Sequence, residues 1–289
     1  MTEHIFGGDW TEIKLEVLRK YLSFYTTAFK NQPFTSIYID AFAGSGERQQ
    51  KIASAPLLNE EETIETLAGS ARIALSIDNP FGKYIFIETN KKRRKRLSYV
   101  IREYPELNCY ILENDANLEI KTICDSLDWK KYRAVLFLDP YGLEVDWKTL
   151  IAINNTKAID IWYLFSISGI YRQAAIHYHQ IENYKKERLN RMLGTTEWQE
   201  IFYDNKKPGT TDDMFYDANL KNERTASVKD LEEYVKDRLL SIFPYVSTPL
   251  PLFTKNKAQL YSLFLCVSNP SPKATALAKK VCSFILKQY

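Results

Sequence analysis

Cysteine and histidine are scarce in this chain, and each scarcity removes a class of function. Four cysteines, Cys109, Cys124, Cys266 and Cys282, stand far apart in 289 residues with no Cys-x-x-Cys pair and no histidine at ligand spacing. Neither a zinc site nor a secreted disulfide scaffold is expected, and no metal is predicted. No apolar run approaches the ~20 residues that a membrane span needs. Residues 1–20 carry acids throughout and lack the apolar stretch of a signal peptide. Charge of one sign is missing too: 39 basic against 36 acidic residues leave a formal charge of +3. That is too little to argue for a nucleic-acid partner, so any basic patch must be local. The expectation is a cytoplasmic, reducing home without a membrane partner. The length suits one sizeable domain, or a domain with a large insertion.

The stretch that organises the rest is Ile37-Tyr38-Ile39-Asp40-Ala41-Phe42-Ala43-Gly44-Ser45-Gly46-Glu47. A short apolar run that stops at glycine reads as a buried strand turning sharply. Residues without a Cβ there take positive φ and let backbone approach a ligand closely. Two familiar ligands are disfavoured by what is missing. A dinucleotide fingerprint wants a third glycine where Gln49 stands, and Gly46 is followed by Glu47 and Arg48 rather than by a P-loop lysine.

Five strands alternate with helical patterns along the first half of the chain. Leu15, Leu18, Leu22, Tyr25 and Phe29 form one helical stripe, with Thr11 as the expected N-cap. Strands are predicted at 37–40, 83–88, 109–112, 134–139 and 159–165, with helices over 68–77, 91–104, 118–127 and 147–153. The polar stretch from Glu47 to Thr66 reads as a loop, long enough to be functional or mobile. Beyond residue 166 the rhythm changes to helices dense in Tyr, His, Lys and Arg. Segments 250–254 and 260–267, joined by Lys255-Asn256-Lys257, read as an antiparallel hairpin. A helix over 274–287 closes the chain. The fold class is therefore α/β, a doubly wound, mostly parallel sheet. The expected division is an N-terminal helical segment (1–33), an α/β core (34–166 and 243–289) and a helical insertion or lid (167–242).

Asp40, Glu88, Asp115 and Asp139 follow successive strands, so a parallel sheet gathers all four at its carboxyl edge, where ligands of such sheets bind. Crowded carboxylates repel each other and call for a ligand or cation. Alternatively, each acid caps the helix that follows it. Asp139-Pro140-Tyr141-Gly142 is either a simple turn after a strand or an acceptor site. The run Lys91 to Arg96 reads as a solvated helix start before it reads as a phosphate site, and a cationic first turn opposes the helix dipole unless an acid compensates. Tyr171, Arg172, His177, Tyr178, His179, Tyr184, Lys185, Lys186, Arg188 and Arg191 suit nucleic acid, or packing against the sheet or a partner.

Asp40-x-Phe42-Ala43-Gly44-Ser45-Gly46 resembles the cofactor motif of class I S-adenosylmethionine-dependent methyltransferases, nearest to the form in nucleic-acid base methyltransferases. Over most of the chain, Phe6-Gly7-Gly8-Asp9-Trp10-Thr11-Glu12-Ile13-Lys14-Leu15, Lys20-Tyr21-Leu22, Asp139-Pro140-Tyr141-Gly142 and Ser168-Gly169-Ile170-Tyr171-Arg172 resemble the bacterial three-Cys-motif partner family (TcmP). The resemblance implies a Rossmann-like methyltransferase fold that uses S-adenosylmethionine. Asp40, Phe42, Ala43, Gly44 and Gly46 would hold the cofactor's amino-acid part, Glu88 its ribose, and Asp115 with Ala116 its adenine. Asp139-Pro140-Tyr141 would receive a nucleobase or other planar amine: Asp139 and the Pro140 carbonyl accepting its hydrogens, Tyr141 stacking on its ring. Arg172, Lys185, Lys186 and Arg188 are candidate substrate contacts. The named partner is a three-cysteine-motif, radical-S-adenosylmethionine-like protein, and a role as its non-catalytic companion is the alternative to catalysis.

Overall fold

A computed structural model describes residues 9–52, 63–203 and 223–289. The chain opens with helix α1 (Asp9–Phe29) and strand β1 (Thr35–Asp40), then a two-stranded ribbon, β2 (Glu47–Ile52) and β3 (Thr63–Ala68). Helix α2 (Ser70–Leu75), β4 (Lys83–Ile87), α3 (Lys91–Arg102), β5 (Cys109–Leu112), α4 (Ala116–Ser126), β6 (Tyr132–Leu138), α5 (Trp147–Asn155) and β7 (Ile159–Phe165) follow. Then come α6 (Ile167–Gln173), a 3₁₀ turn at Tyr178–Gln180, α7 (Asn183–Leu193), α8 (Trp198–Phe202) and α9 (Val228–Leu240). Strands β8 (Tyr245–Val246), β9 (Leu250–Phe253) and β10 (Gln259–Val267) precede the last helix, α10 (Pro272–Leu286).

The main sheet runs β5-β4-β1-β6-β7-β10-β8, with β9 also paired to β10. Strands β5, β4, β1, β6 and β7 are parallel, whereas β10 is antiparallel to β7, β8 and β9. This is the doubly wound methyltransferase-like arrangement expected, antiparallel hairpin included. Alternation along the strands divides the core. Ile37, Ile39, Leu136, Ile161 and Phe165 point to one face, beneath α4 to α9. Tyr38, Val135, Phe137, Trp162 and Leu164 point to the other, beneath α1, α2, α3 and α10. Period-two alternation on a sheet covered on both faces yields the nearly unbroken apolar runs seen in the sequence.

Two expectations need correction. Residues 47–52 and 63–68, read as loop, pair as an antiparallel ribbon; polar strands lack the apolar alternation that would have announced them, and 53–62 lie outside the described residues. Thr11 is inside α1 rather than at its cap, and its buried hydroxyl has no hydrogen-bond partner among the described residues. The short strand β8 was not foreseen. Segment 167–242, anticipated as an insertion or lid, contributes Leu189, Met192, Trp198, Phe202, Leu231 and Val235 to the same cluster as the sheet, and its residues 204–222 lie outside the described set. No described helix is long and apolar enough to cross a membrane.

Candidate functional site

The turn after β1 is built by its glycines. Gly44 and Gly46 have φ of 62° and 78°, the left-handed region that L side chains enter at a cost. An added Cβ at Gly46 would lie 3.1 Å from Leu97 Cδ1, whereas beside Gly44 there is open space. The Gly69 amide donates to the Gly46 carbonyl at 3.1 Å and the Ala43 amide to the Ile87 carbonyl at 3.1 Å, which fixes the turn over the ends of β1 and β4. Phe42 is half-buried and Ala43 buried.

The four acids lie at or just beyond the carboxyl ends of the parallel strands β1, β4, β5 and β6, each with its own donor. Asp40 is fully buried; Tyr38 Oη donates to it at 3.2 Å and the Phe42 amide at 3.3 Å. Burial pushes its carboxyl up to about 6; Asp139 adds to this, while hydrogen bonds from Ser70, Phe42 and Tyr38 oppose it. Asp40 thus braces the turn from beneath. Glu88, also buried, receives the Asn90 amide on Oε1 at 2.7 Å, and Arg93 lies 3.8 Å from Oε2. Asp115 caps α4 by accepting from the Asn117 and Leu118 amides, so the capping alternative holds there; Ala116 is buried behind it. The basic run behaves as a helix start capped by Asn90, with Arg94 paired to Glu113 at 2.8 Å. Acids therefore compensate its first turn.

Asp139 has a partner that the sequence reading missed. Lys14, only 6 % exposed, places Nζ 2.5 Å from Asp139 Oδ2. Lys14 shares a helical face with Leu18, Tyr21 and Tyr25, all buried; a lysine inside an apolar stripe was the available signal. The same Nζ is 5.1 Å from the centre of the Trp10 ring, which packs tilted against the Tyr261 ring, centres 4.8 Å apart. Burial raises the Tyr261 hydroxyl above its ordinary value, with Asp139 and Tyr141 adding and Arg172 opposing. Lys14 and Trp10 of α1 and Tyr261 of β10 thus form a chain of contacts that ends on Asp139, with Tyr141 and Arg172 near enough to act on the Tyr261 hydroxyl.

Pro140 is buried, and its carbonyl, expected to be unpaired, accepts the Gly142 amide at 3.0 Å. The bond closes a tight turn over Tyr141, with Gly142 following at φ 89°, and one carbonyl lone pair remains. Tyr141 is 71 % exposed. The following loop is pinned by Asn117, another residue missed: Nδ2 donates to the Glu144 carbonyl at 2.9 Å, while Oδ1 accepts from the Asp146 amide and Thr149 Oγ1. Of the remaining substrate candidates, Arg188 faces Glu144. Lys185 pairs with Glu182 at 2.5 Å, and Lys186 lies 4.0 Å from the centre of the Tyr178 ring. Both are engaged within the helical layer rather than at Asp139. A groove of about 800 Å³ between α1, α2 and α10 contains none of these residues.

No family model matches this chain, and no curated protein matches it. A crystal structure of a Legionella pneumophila protein assigned to family model DUF519 aligns over 97 % of this chain and 94 % of that one, with a TM-score of 0.50 and 11 % identity. A putative methyltransferase from Escherichia coli aligns over 52 % of this chain and 69 % of its own, at TM-score 0.32 and 13 % identity. Spermidine synthase from Thermotoga maritima does so over 89 % and 61 %, at TM-score 0.39 and 11 % identity. At such identities the first likeness speaks for the fold alone, and the other two carry no argument.

Proposed function

We propose that this chain is an S-adenosylmethionine-dependent methyltransferase that methylates the amino group of a nucleobase or other planar amine. The observation that carries the reading is the carboxyl edge itself: a left-handed Gly44-Ser45-Gly46 turn with open space beside Gly44, next to buried Glu88, and Asp139 three strands along from the sheet's β5 edge. These residues fit the cofactor. Gly44 allows close backbone approach, and the Glu88 carboxylate, oriented through Oε1, suits a pair of ribose hydroxyls. When bound, S-adenosylmethionine supplies a methyl group on a sulfonium.

Methyl transfer requires the acceptor's lone pair in line with that methyl, so positioning supplies most of the rate. Lys14 engages Asp139 Oδ2, which leaves Oδ1 to accept a hydrogen from the amine. The second lone pair of the Pro140 carbonyl takes the other hydrogen, and together they aim the nitrogen lone pair away from both. Tyr141 covers the ring. A second reading, a methyltransferase-fold companion of a three-cysteine-motif protein, is supported by the lysine already on Asp139.

A thermal-shift titration tests the first step. S-adenosylmethionine at 100 times its dissociation constant adds about 2.7 kcal/mol of stability, and no shift with it or its demethylated product would remove the enzyme reading. With binding in hand, labelled methyl transfer to DNA and RNA pools separates catalysis from companionship.

A further inference from the structure

Trp10 and Tyr261 come from near opposite ends of the chain and meet at the carboxyl edge, ring centres 4.8 Å apart and planes tilted by 33°. Neither is fully buried, unlike Trp162 and Tyr21, which close on each other beneath the same helix. Their neighbour is an acid: Lys14 bridges from 5.1 Å off the Trp10 ring to Asp139. Arg172, exposed on α6, lies close enough to act on the Tyr261 hydroxyl. A half-open aromatic pair, a carboxylate and an exposed guanidinium within one neighbourhood match the three parts of a nucleotide: ring, exocyclic amine and phosphate.

We propose that Trp10 and Tyr261 form a stacking ledge beside Asp139 and that Arg172 meets an adjoining phosphate, so the acceptor is an unstacked base within a nucleic-acid strand. This rests on the methyl-transfer reading and narrows its planar amine to a nucleotide. Aromatic side chains bind unstacked bases through their faces with little regard to sequence, whereas a paired base in a duplex withholds its faces until it is flipped. Single strands should therefore bind better than the matching duplex.

The experiment is fluorescence anisotropy of labelled DNA and RNA strands of mixed sequence, and of their duplexes, with the full chain. Trp10→Phe keeps a stacking face and should bind single strands as the wild type does. Trp10→Leu and Tyr261→Leu should each weaken single-strand binding about tenfold, at the low end of a lost base stack. Arg172→Met should lower affinity and flatten its salt dependence. The DNA and RNA arms show which strand is taken. Duplex binding as tight as single-strand binding, or leucine variants that melt earlier yet bind strands unchanged, would overturn the ledge and leave a fastening of α1 to β10. If the leucine variants do not fold, Arg172→Met decides: an unaltered salt slope rejects the proposal. Strand binding without a thermal shift from S-adenosylmethionine keeps the ledge and removes the enzyme; a thermal shift without strand binding does the reverse.

Discussion

The two halves of the carboxyl edge are built in different ways. Around β1 and β4, the acids are met mainly by groups close in sequence: Asp40 by Tyr38 and Phe42, with Ser70 of α2 added, Glu88 by Asn90, and Asp115 on the next strand by Asn117 and Leu118. Around β6 and β7, the key contacts span the chain: Lys14 to Asp139, Trp10 to Tyr261. The first half is a backbone cradle that assembles with its own strands and helices. The second exists only once α1 and β10 have docked on the sheet. On the proposed reading, a cofactor common to many reactions would be met by local backbone, whereas an acceptor site that sets specificity would be assembled from distant side chains.

The sharpest way to separate the halves is at Asp139. Asp139→Asn should lower kcat by at least about 100-fold, the usual scale for losing a positioned acid–base group, with the thermal shift from S-adenosylmethionine unchanged. Loss of that shift would place Asp139 in the cofactor pocket and dissolve the division. Asparagine is the informative replacement because Asp139→Ala leaves the Lys14 ammonium buried without its partner, a change costing about 3–5 kcal/mol in buried pairs. A variant that fails to fold says nothing of chemistry.

The converse change is Gly46→Ala. An alanine there carries a left-handed φ, at about 1–2 kcal/mol, and its Cβ presses on Leu97. The turn must move, so melting temperature falls and cofactor affinity drops about tenfold, equivalent to 1.4 kcal/mol. Residual turnover at saturating cofactor should stay near that of the wild type. A kcat loss as deep as that of Asp139→Asn would mean that the two halves work as one.

What could be read from the sequence follows the same line. Strand order and the glycine turn after β1 were legible because apolar runs and glycine spacing are properties of neighbouring residues. The capping role of Asp115 was legible too, as an alternative. Lys14 was not, although it interrupts the stripe of Leu18, Tyr21 and Tyr25: a sequence shows an odd lysine on an apolar face, not which acid lies across from it. Asn117 offered even less, since its partners Glu144, Asp146 and Thr149 come from the loop and helix that follow another strand. The β2–β3 ribbon escaped because Glu47 to Ile52 carries mostly polar residues, and a polar strand has no period to read.

Helix α1 also touches the opposite end of the sheet, and there the comparison takes its mildest form. Tyr21 donates to Asp160 at 2.7 Å from the same face that offers Lys14 to Asp139. Burial pushes the Asp160 carboxyl from 3.8 up to about 6, against opposing effects of the Tyr21 hydrogen bond and Arg133. The folded chain therefore holds this proton more tightly than the unfolded chain does. Its stabilising contribution is complete below the unfolded value and is lost as pH rises through about 6. Asp160→Asn carries no such proton, so the stability of the wild type relative to the variant should fall between about pH 4 and about pH 7, by up to roughly 3 kcal/mol. Thermal melts of the two proteins across that range measure it. A difference that stays flat would mean that Asp160 ionises in the folded chain as it does in the unfolded one. A falling one would mean that one helix face anchors both ends of the sheet, through a lysine at Asp139 and a phenol at Asp160.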